Sequence, residues 1–271
     1  MAKGIAVIID PVRSAQSLRS FRAGAVVVGL TDLGQRRENN EDSYLYGEGA
    51  DDGEFARRGR VLIVADGMGG HQGGGEASQI AVDSVREAYF KLGDVSPSQA
   101  LIAGLQLAHE RILEYAKVYP ELEGMGTTCT AAAVLGHSLY YAHCGDCRMY
   151  LVHEQSIRCL TRDHSFVGQL VESGVISLDE AAVHPQRHIL SAALGSGDEV
   201  SADVSSSPVK LQVGDIVMIC SDGLWGQFKD EEIRATLVAG PLPKACQSLL
   251  DQANQRGGPD NITLMAVKIE A

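Results

Sequence analysis

The sequence predicts an α+β fold of stacked layers, with helices in two blocks around runs of strands. Two segments, 75–117 and 230–255, carry apolar residues at helical spacing, whereas short β-branched or alternating runs elsewhere are typical of strands. The chain has 271 residues, 45% hydrophobic and 21% charged, which is an ordinary globular composition. A chain of this length buries a sizeable core without a disulfide or structural metal.

The first part of the chain combines an N-terminal arm with two strands. Residues 1–24 form the arm, either a loose terminus or an edge strand. Ala25–Thr31 is β-branched, and Val61–Ala65 is a short apolar run that ends in Asp-Gly, so both are predicted as buried strands. Between them, Gly47–Gly59 is predicted as a polar turn region.

Two amphipathic helices are expected next. Gly75–Leu92 places alanine, valine and leucine at helical spacing. Ser96 as N-cap and Pro97 at the first helical position begin the second helix, which continues to Lys117 with apolar residues on one face. These faces indicate core packing and carry no functional message.

The remaining elements alternate in type. Strands are predicted over Thr127–Leu135, Ser138–Cys144, Arg148–His153, Asp215–Ser221 and Asn261–Ile269, and helices over Phe166–Ser173, Asp230–Val238 and Lys244–Gln255. Ser177–Arg187 is expected to be a polar excursion that contains proline. The whole pattern indicates one α+β domain.

The charge balance excludes several classes of function. With 23 basic and 35 acidic residues, the formal net charge of −12 argues against nucleic-acid binding, since phosphate recognition relies on clustered Lys and Arg. No run of about 18 apolar residues is present, and the N-terminus lacks a signal-peptide pattern. The six cysteines lie in strand-like sequence and indicate reduced thiols. We therefore expect a cytoplasmic protein with no membrane and no nucleic-acid partner.

Aspartates beside glycines or at predicted strand ends are the informative feature. They are Asp42, Asp66, Asp146, Asp222 and Asp260. Mg²⁺ and Mn²⁺ prefer carboxylate oxygens, and glycine lets a backbone carbonyl approach an ion. A single Asp-Gly pair is usually just a turn, whereas two such pairs after buried apolar runs are either turns or parts of a metal site. The Arg36-Arg37 pair is either a solvated surface pair or a site for an anionic substrate.

Six segments in a fixed order carry a family resemblance. They are Thr31–Asp42, Val64–His71, Gly124–Thr128, Gly145–Arg148, Cys220–Leu224 and Gly258–Thr263. Together they resemble the motifs of the metal-dependent Ser/Thr protein phosphatases of type 2C in their bacterial form, over about residues 25–269. The resemblance implies a four-layer α-β-β-α sandwich, two antiparallel sheets flanked by helices. It also implies that residues 25–271 are a single phosphatase catalytic domain behind the arm 1–24.

The resemblance further implies the cofactors and the residues that hold them. Two Mn²⁺ or Mg²⁺ ions would lie in the core site, bridged by Asp66, with a third ion at Asp146 and Asp222. The metal set as a whole would be Glu41, Asp42, Asp66, the Gly67 carbonyl, Asp146, Asp222 and Asp260. Arg37 would bind the substrate phosphate, so that Arg37 and Asp66 are the expected catalytic residues.

The implied reaction is hydrolysis of phosphoserine and phosphothreonine in proteins. Two ions about 3.5–4 Å apart lower the pKa of a bridging water and clamp the attacking and leaving oxygens, and the bridging hydroxide would attack phosphorus directly. The implied partners are phosphorylated proteins, in signal transduction with a bacterial Ser/Thr kinase, and the enzyme is expected to be a monomer. A pseudophosphatase that only binds phosphoproteins, and a hydrolase of nucleotides or small phosphate esters, are the alternatives.

Two departures from the family pattern affect the expected site. Met68 stands where many eukaryotic members have a histidine, which leaves the general acid unidentified; His71, and His188 in the flap region 165–190, are candidate modulators. Cys147 stands where the family usually has serine. With Cys144 it brackets Asp146, so oxidation of this pair is a further hypothesis beside the simpler interpretation as small core residues.

Overall fold

The computed structural model describes residues 24–69 and 73–271. The strands in these ranges are β1 Ala25–Asp32, β2 Asp42–Glu48, β3 Arg60–Met68, β4 Gly126–Thr127, β5 Cys129–Leu135, β6 Ser138–Cys144, β7 Arg148–His153, β8 Ser156–Cys159, β9 Asp203–Val204, β10 Val209–Lys210, β11 Ile216–Cys220 and β12 Ile262–Ile269. The helices are α1 Asp52–Arg58, α2 Gly73–Lys91, α3 Pro97–Val118, α4 Phe166–Glu172, α5 Leu178–Ala182, α6 Asp222–Trp225, α7 Asp230–Val238 and α8 Leu242–Gln255. Of the predicted arm, only Gly24 lies within the described residues.

The strands form two antiparallel sheets. One has the order β1-β12-β11-β7-β8, and the other has the order β10-β6-β5-β3-β2, with β9 beside β6 and β4 beside the end of β3. The pairing of β1 with β12 joins the two ends of the described chain, from Ala25 opposite Ile269 to Asp32 opposite Ile262. The segments before β2 and β12 are therefore brought to the same end of the molecule.

Strand β3 shows why its sequence is a continuous apolar run. Val61, Ile63 and Ala65 pack against helices α2 and α3, whereas Leu62 and Val64 pack into the core between the two sheets. Side chains alternate between the faces of a strand, so burial of both faces removes the polar half of the usual pattern. By the same alternation, Asp66 lies on the face of Val64, towards the other sheet.

Helices cover both outer faces of the sandwich. Helices α2 and α3 pack on the sheet that contains β3, and α7 and α8 pack on the sheet that contains β12. The α3 start matches prediction, because Ser96 and Gln99 form a reciprocal capping box ahead of Pro97. The predicted four-layer α-β-β-α architecture is confirmed. None of the helices in the described ranges is both long and apolar enough to cross a membrane.

Some local predictions were wrong. The predicted turn region Gly47–Gly59 contains the end of β2 and helix α1, which begins after the Asp51 cap. Within the polar excursion Ser177–Arg187 lies the short helix α5, capped by Ser177, for which no prediction was made. Strand β3 continues past Asp66 to Met68, where it pairs with β4, and Asp222 opens helix α6 instead of ending a strand. These corrections change how the acids are presented.

Candidate active site

Two acids face each other across neighbouring strands. In the pairing of β2 with β3, Asp42 is directly opposite Asp66. Asp42 is only 8% exposed; its Oδ2 accepts a hydrogen bond from Ser221 Oγ at 2.8 Å, whereas its buried Oδ1 has no partner among the described residues. Burial raises the pKa of Asp42 to about 7. A buried carboxylate oxygen without a donor is a binding position for a cation.

The backbone of Asp66 is fixed on both sides. Its N–H donates to Thr128 Oγ1 at 3.0 Å, and its carbonyl accepts from the Thr128 N–H and from Thr127 Oγ1, both at 2.9 Å. Burial raises the pKa of the Asp66 carboxyl well above its ordinary value, and the charge of Asp42 raises it further. The strand therefore presents an acidic side chain in a defined position while its charge remains uncompensated.

Asp146 and Asp222 are connected through one tryptophan. Asp146 lies in the turn between β6 and β7, and its carbonyl accepts from Trp225 Nε1 at 3.0 Å. Trp225 belongs to helix α6, which begins at Asp222, and the Arg148 guanidinium lies 3.6 Å from its ring centroid. Burial, and then the charge of Asp222, raise the pKa of Asp146 well above its ordinary value. Trp225 thus couples the positions of two predicted metal ligands.

A buried asparagine connects the segments that carry Glu41 and Asp260. The Asn261 side chain accepts from the Glu41 N–H at 2.9 Å and donates to the carbonyls of Leu33 and Asn39 at 2.9 and 3.0 Å. Sequence analysis assigned Asn261 no role of its own. A polar residue that enters a buried strand beside a predicted ligand was the available signal.

Arg37 lies at the outer edge of the same group. Its Nη2 contacts Asp260 Oδ2 at 2.6 Å, and the two side chains are 51% and 27% exposed. This hydrogen bond raises the pKa of Arg37, and the charges of Asp66 and Asp222 act in the same direction. Burial raises the pKa of Glu41. The Arg37 guanidinium is therefore exposed enough to reach a ligand in solution.

Close backbone packing supports the glycine at position 67. The Gly67 N–H donates to the Glu41 carbonyl at 3.2 Å, and a Cβ at Gly67 would collide with the carbonyl oxygen of Gly74. The glycine of the Asp-Gly pair is thus required by the close approach of the segments that contain Glu41 and Gly74. Glycine here also leaves the peptide groups on either side accessible.

The acids surround a shared space without forming a closed cage. The charges of Asp42, Asp222, Asp146 and Asp260 all raise the pKa of Asp66. In the described part of the chain, no group of three or more histidine, cysteine or acidic side chains is arranged to enclose a metal ion by itself. Mg²⁺ and similar hard ions keep several waters and need only a few carboxylates. The oxygen-only donors and the unpartnered Asp42 Oδ1 therefore fit a hydrated divalent ion.

The candidate modulators His71 and His188 and the cysteine pair Cys144 and Cys147 are the remaining predicted site residues. His188 Nδ1 lies 3.7 Å from Asp222 Oδ2 with its side chain 61% exposed, so it is near the site. His71 lies outside the described residues. Cys144 and Cys147 are buried, and burial raises the pKa of Cys144 to about 12 and that of Cys147 well above its ordinary value. Since the thiolate is the reactive form, this environment gives no support to redox control.

Comparisons with known proteins point to one family. Residues 36–262 match the family model described as Protein phosphatase 2C. Protein phosphatase PhpP of Streptococcus pneumoniae is 34% identical over 247 residues, which cover 89% of this chain and 96% of PhpP.

Solved structures show the same fold. The crystal structure of the Mycobacterium tuberculosis serine/threonine phosphatase PstP/Ppp has a TM-score of 0.82 at 33% identity and covers 92% of this chain and 100% of that chain. The catalytic domain of PstP in complex with two manganese ions has a TM-score of 0.78 at 30% identity, with 92% and 99% covered.

Proposed function

Because the chain belongs to the protein phosphatase 2C family, we propose that it hydrolyses phosphoserine and phosphothreonine in proteins, with Mn²⁺ or Mg²⁺ as cofactor, and so opposes a Ser/Thr kinase. The observation that carries this proposal is the facing pair of Asp42 and Asp66, with an unpartnered carboxylate oxygen between sheets. A structural relative that holds two manganese ions supports the choice of cofactor. Residues 25–271 form the catalytic unit in this proposal.

The proposed metal ligands come from both sheets. Asp66 and the Gly67 carbonyl would hold the ions of the core site. The other proposed ligands, direct or through water, are Glu41, Asp42, Asp222 and Asp260, with Asp146 and Asp222 at a third ion. Mutual repulsion among the metal-free carboxylates supports this assignment, because a divalent ion removes the cost of keeping them charged together.

The chain itself then supplies substrate binding and alignment. When bound, the ions lower the pKa of a coordinated water and offset charge on the phosphate. Arg37 turns from Asp260 towards the phosphoryl oxygens, where its guanidinium donates in a bidentate manner. The rigid backbone of Asp66 keeps its carboxylate in line with the substrate, so that little reorganisation accompanies the reaction.

The decisive experiment measures phosphate released from a phosphothreonine peptide with Mn²⁺ present, and again after EDTA removes the metal. We expect release with Mn²⁺, loss of release with EDTA, and recovery when excess Mn²⁺ returns. ATP and p-nitrophenyl phosphate are assayed in parallel. Faster turnover of ATP than of the peptide would replace the proposed substrate class with nucleotides. Peptide binding without turnover would establish a pseudophosphatase, which the presence of every required acid does not favour.

A further inference from the structure

A cavity of about 280 Å³ lies beside the candidate active site. Met68 at the end of β3 forms one side, and the segment 190–201, here called the wall segment, forms the rest. The side chains that line it include Met68, Ala192, Ala193, Ser191, Ser196, Ser201 and Glu199. None of the roles proposed above uses this cavity.

Its position relative to Asp66 follows from strand geometry. Asp66 and Met68 are two residues apart in β3, so their side chains project from the same face with Cα atoms about 7 Å apart. A Cβ at Gly126, which pairs with Met68, would touch Met68 Cε at 3.0 Å, so the methionine side chain lies over this glycine. A group bound at Asp66 is therefore one side-chain length from the cavity.

The wall segment is held by backbone hydrogen bonds on both sides of the cavity. Leu194 exchanges two with Thr127, at 3.0 and 2.9 Å, and the Ser191 N–H donates to the His164 carbonyl at 2.9 Å. The next residue, Gly195, donates its N–H to His109 Nδ1 at 3.1 Å. Leu194 is fully buried. Residues 191–195 of the wall segment are thus fixed before a ligand binds, which lowers the entropic cost of binding a side chain against them.

The chemistry of the lining selects one kind of occupant. Met68, Ala192 and Ala193 supply apolar surface, three serines supply hydroxyl groups, and Glu199 supplies a carboxylate that is exposed. Glu199 has no ion-pair partner in residues 24–69 and 73–271. Lysine and arginine combine an apolar stem with a charged end that donates several hydrogen bonds, which matches a lining of apolar side chains, hydroxyl groups and one exposed carboxylate.

We propose that this cavity is a substrate subsite that takes a lysine or arginine side chain next to the phosphorylated residue. The stem lies against Met68, and the charged end pairs with Glu199. This inference rests on the proposed function, and it makes the sequence around the phosphosite a determinant of rate. The preferred substrates are phosphoproteins with a basic residue close to the phosphothreonine or phosphoserine.

The test uses phosphothreonine peptides that carry lysine or norleucine at one flanking position at a time. Norleucine keeps the apolar stem and removes the charge, so the kcat/KM ratio of the two peptides isolates the ion pair. For the wild-type enzyme with Mn²⁺, we expect a ratio of about three to five at one position and near one elsewhere. Glu199→Gln should reduce that ratio to near one, and Glu199→Lys should reverse the preference in favour of a glutamate peptide.

Asp198→Asn is the matched control, because Asp198 is an exposed acid next in sequence that does not line the cavity. It should keep the wild-type ratio. Equal rates on lysine and norleucine peptides at every position, or a preference that survives Glu199→Gln, would overturn the subsite while leaving the phosphatase activity established. Failure to release phosphate from any peptide would overturn the proposed function and the subsite with it.

Discussion

The backbone of Asp66 is fixed by hydrogen bonds, whereas its carboxylate is available to a ligand. Its backbone N–H and carbonyl are bonded to Thr127 and Thr128, while its carboxylate accepts no hydrogen bond from the described residues. Asp66→Asn should therefore fold normally and lose at least about a hundredfold in kcat/KM, because an amide is a poor ligand between two cations. Phosphate release with Mn²⁺ measures the loss in kcat/KM, and thermal unfolding in EDTA measures whether the variant folds normally.

Asp94→Asn provides the control, since it removes one negative charge from an exposed position far along the chain from the proposed ligands. It should leave kcat/KM unchanged. In EDTA, the Asp66→Asn protein should be at least as stable as wild type, because it relieves repulsion from Asp42. Normal turnover by Asp66→Asn would contradict the assignment of the metal site.

Arg37 is predicted to act mainly in substrate binding. Its side chain is 51% exposed and its partner Asp260 is accessible, so the ion pair contributes little to stability. Arg37→Ala should leave the unfolding midpoint within error and raise KM by about ten- to a hundredfold, the value of hydrogen bonds to a charged group. Arg37→Lys should recover only part of the loss, because lysine lacks the fork geometry. A fall in kcat with KM unchanged would show a different role.

The acidic residues of the site could be predicted from the sequence, but the residues that hold them in position could not. The acids follow from Asp-Gly pairs after apolar runs, which is a local signal. Ser221, Trp225 and Asn261 hold those acids through contacts such as Ser221 with Asp42, which are 179 positions apart in the chain. Only the pairing of distant strands creates such contacts, so neither composition nor spacing reveals them.

At the scale of elements, the loop before β2 depends on one close approach. Gly34 has φ of +77°, and a Cβ there would collide with the Asp260 carbonyl oxygen. Gly34→Ala should lose about 3 kcal/mol of unfolding free energy, from left-handed backbone strain plus overpacking. It should also raise KM, because the displaced loop carries Arg37 away from the site. Urea unfolding and steady-state kinetics measure the two effects.

Gly124→Ala separates strain from collision. Gly124 has a similar φ of +82°, but a Cβ there would meet nothing within 4 Å. We expect a loss of about 1 kcal/mol and normal kinetics. Equal losses in the two variants would show that contact with Asp260 is unimportant.

Strand β2 and helix α1 were not predicted, because neither has a periodic apolar pattern in its sequence. Strand β2 lies at the edge of its sheet and is mostly half-buried, so its sequence lacks a clear apolar pattern. Helix α1 has only seven residues, and it depends on the Asp51 cap and on Gly59 at its end instead of an apolar face. By contrast, α3 with 22 residues and a capping box was predicted closely. The sequence pattern is therefore enough to predict an element whose buried residues recur at a regular spacing.

For the whole molecule, the concentration of acids at one end of the sandwich makes stability depend on pH and metal together. Burial raises the pKa of Asp42 from 3.8 to about 7, and raises those of Asp66 and Asp146 in the same direction. Each of these three carboxyls therefore binds more protons in the folded metal-free protein than in the unfolded chain at pH values above about 4. Their contribution to stability is greatest at low pH in this window and falls as pH rises from about 4 to 7.

This decline should be visible as a falling urea midpoint in EDTA across that range, with a slope of up to about 1.4 kcal/mol per pH unit for each proton by which the states differ. His153, whose pKa is raised by Asp215, contributes a decline of the same sign, so the comparison with Asp42→Asn isolates the site. That variant should show a shallower slope. With Mn²⁺ at about 100 times its dissociation constant, the protein should gain about 2.7 kcal/mol. The gain should be largest at the higher pH, because the ion binds the deprotonated acids. A slope in EDTA that is identical for wild type and Asp42→Asn would mean that the facing acids do not share the repulsion that makes this end of the sandwich a metal site.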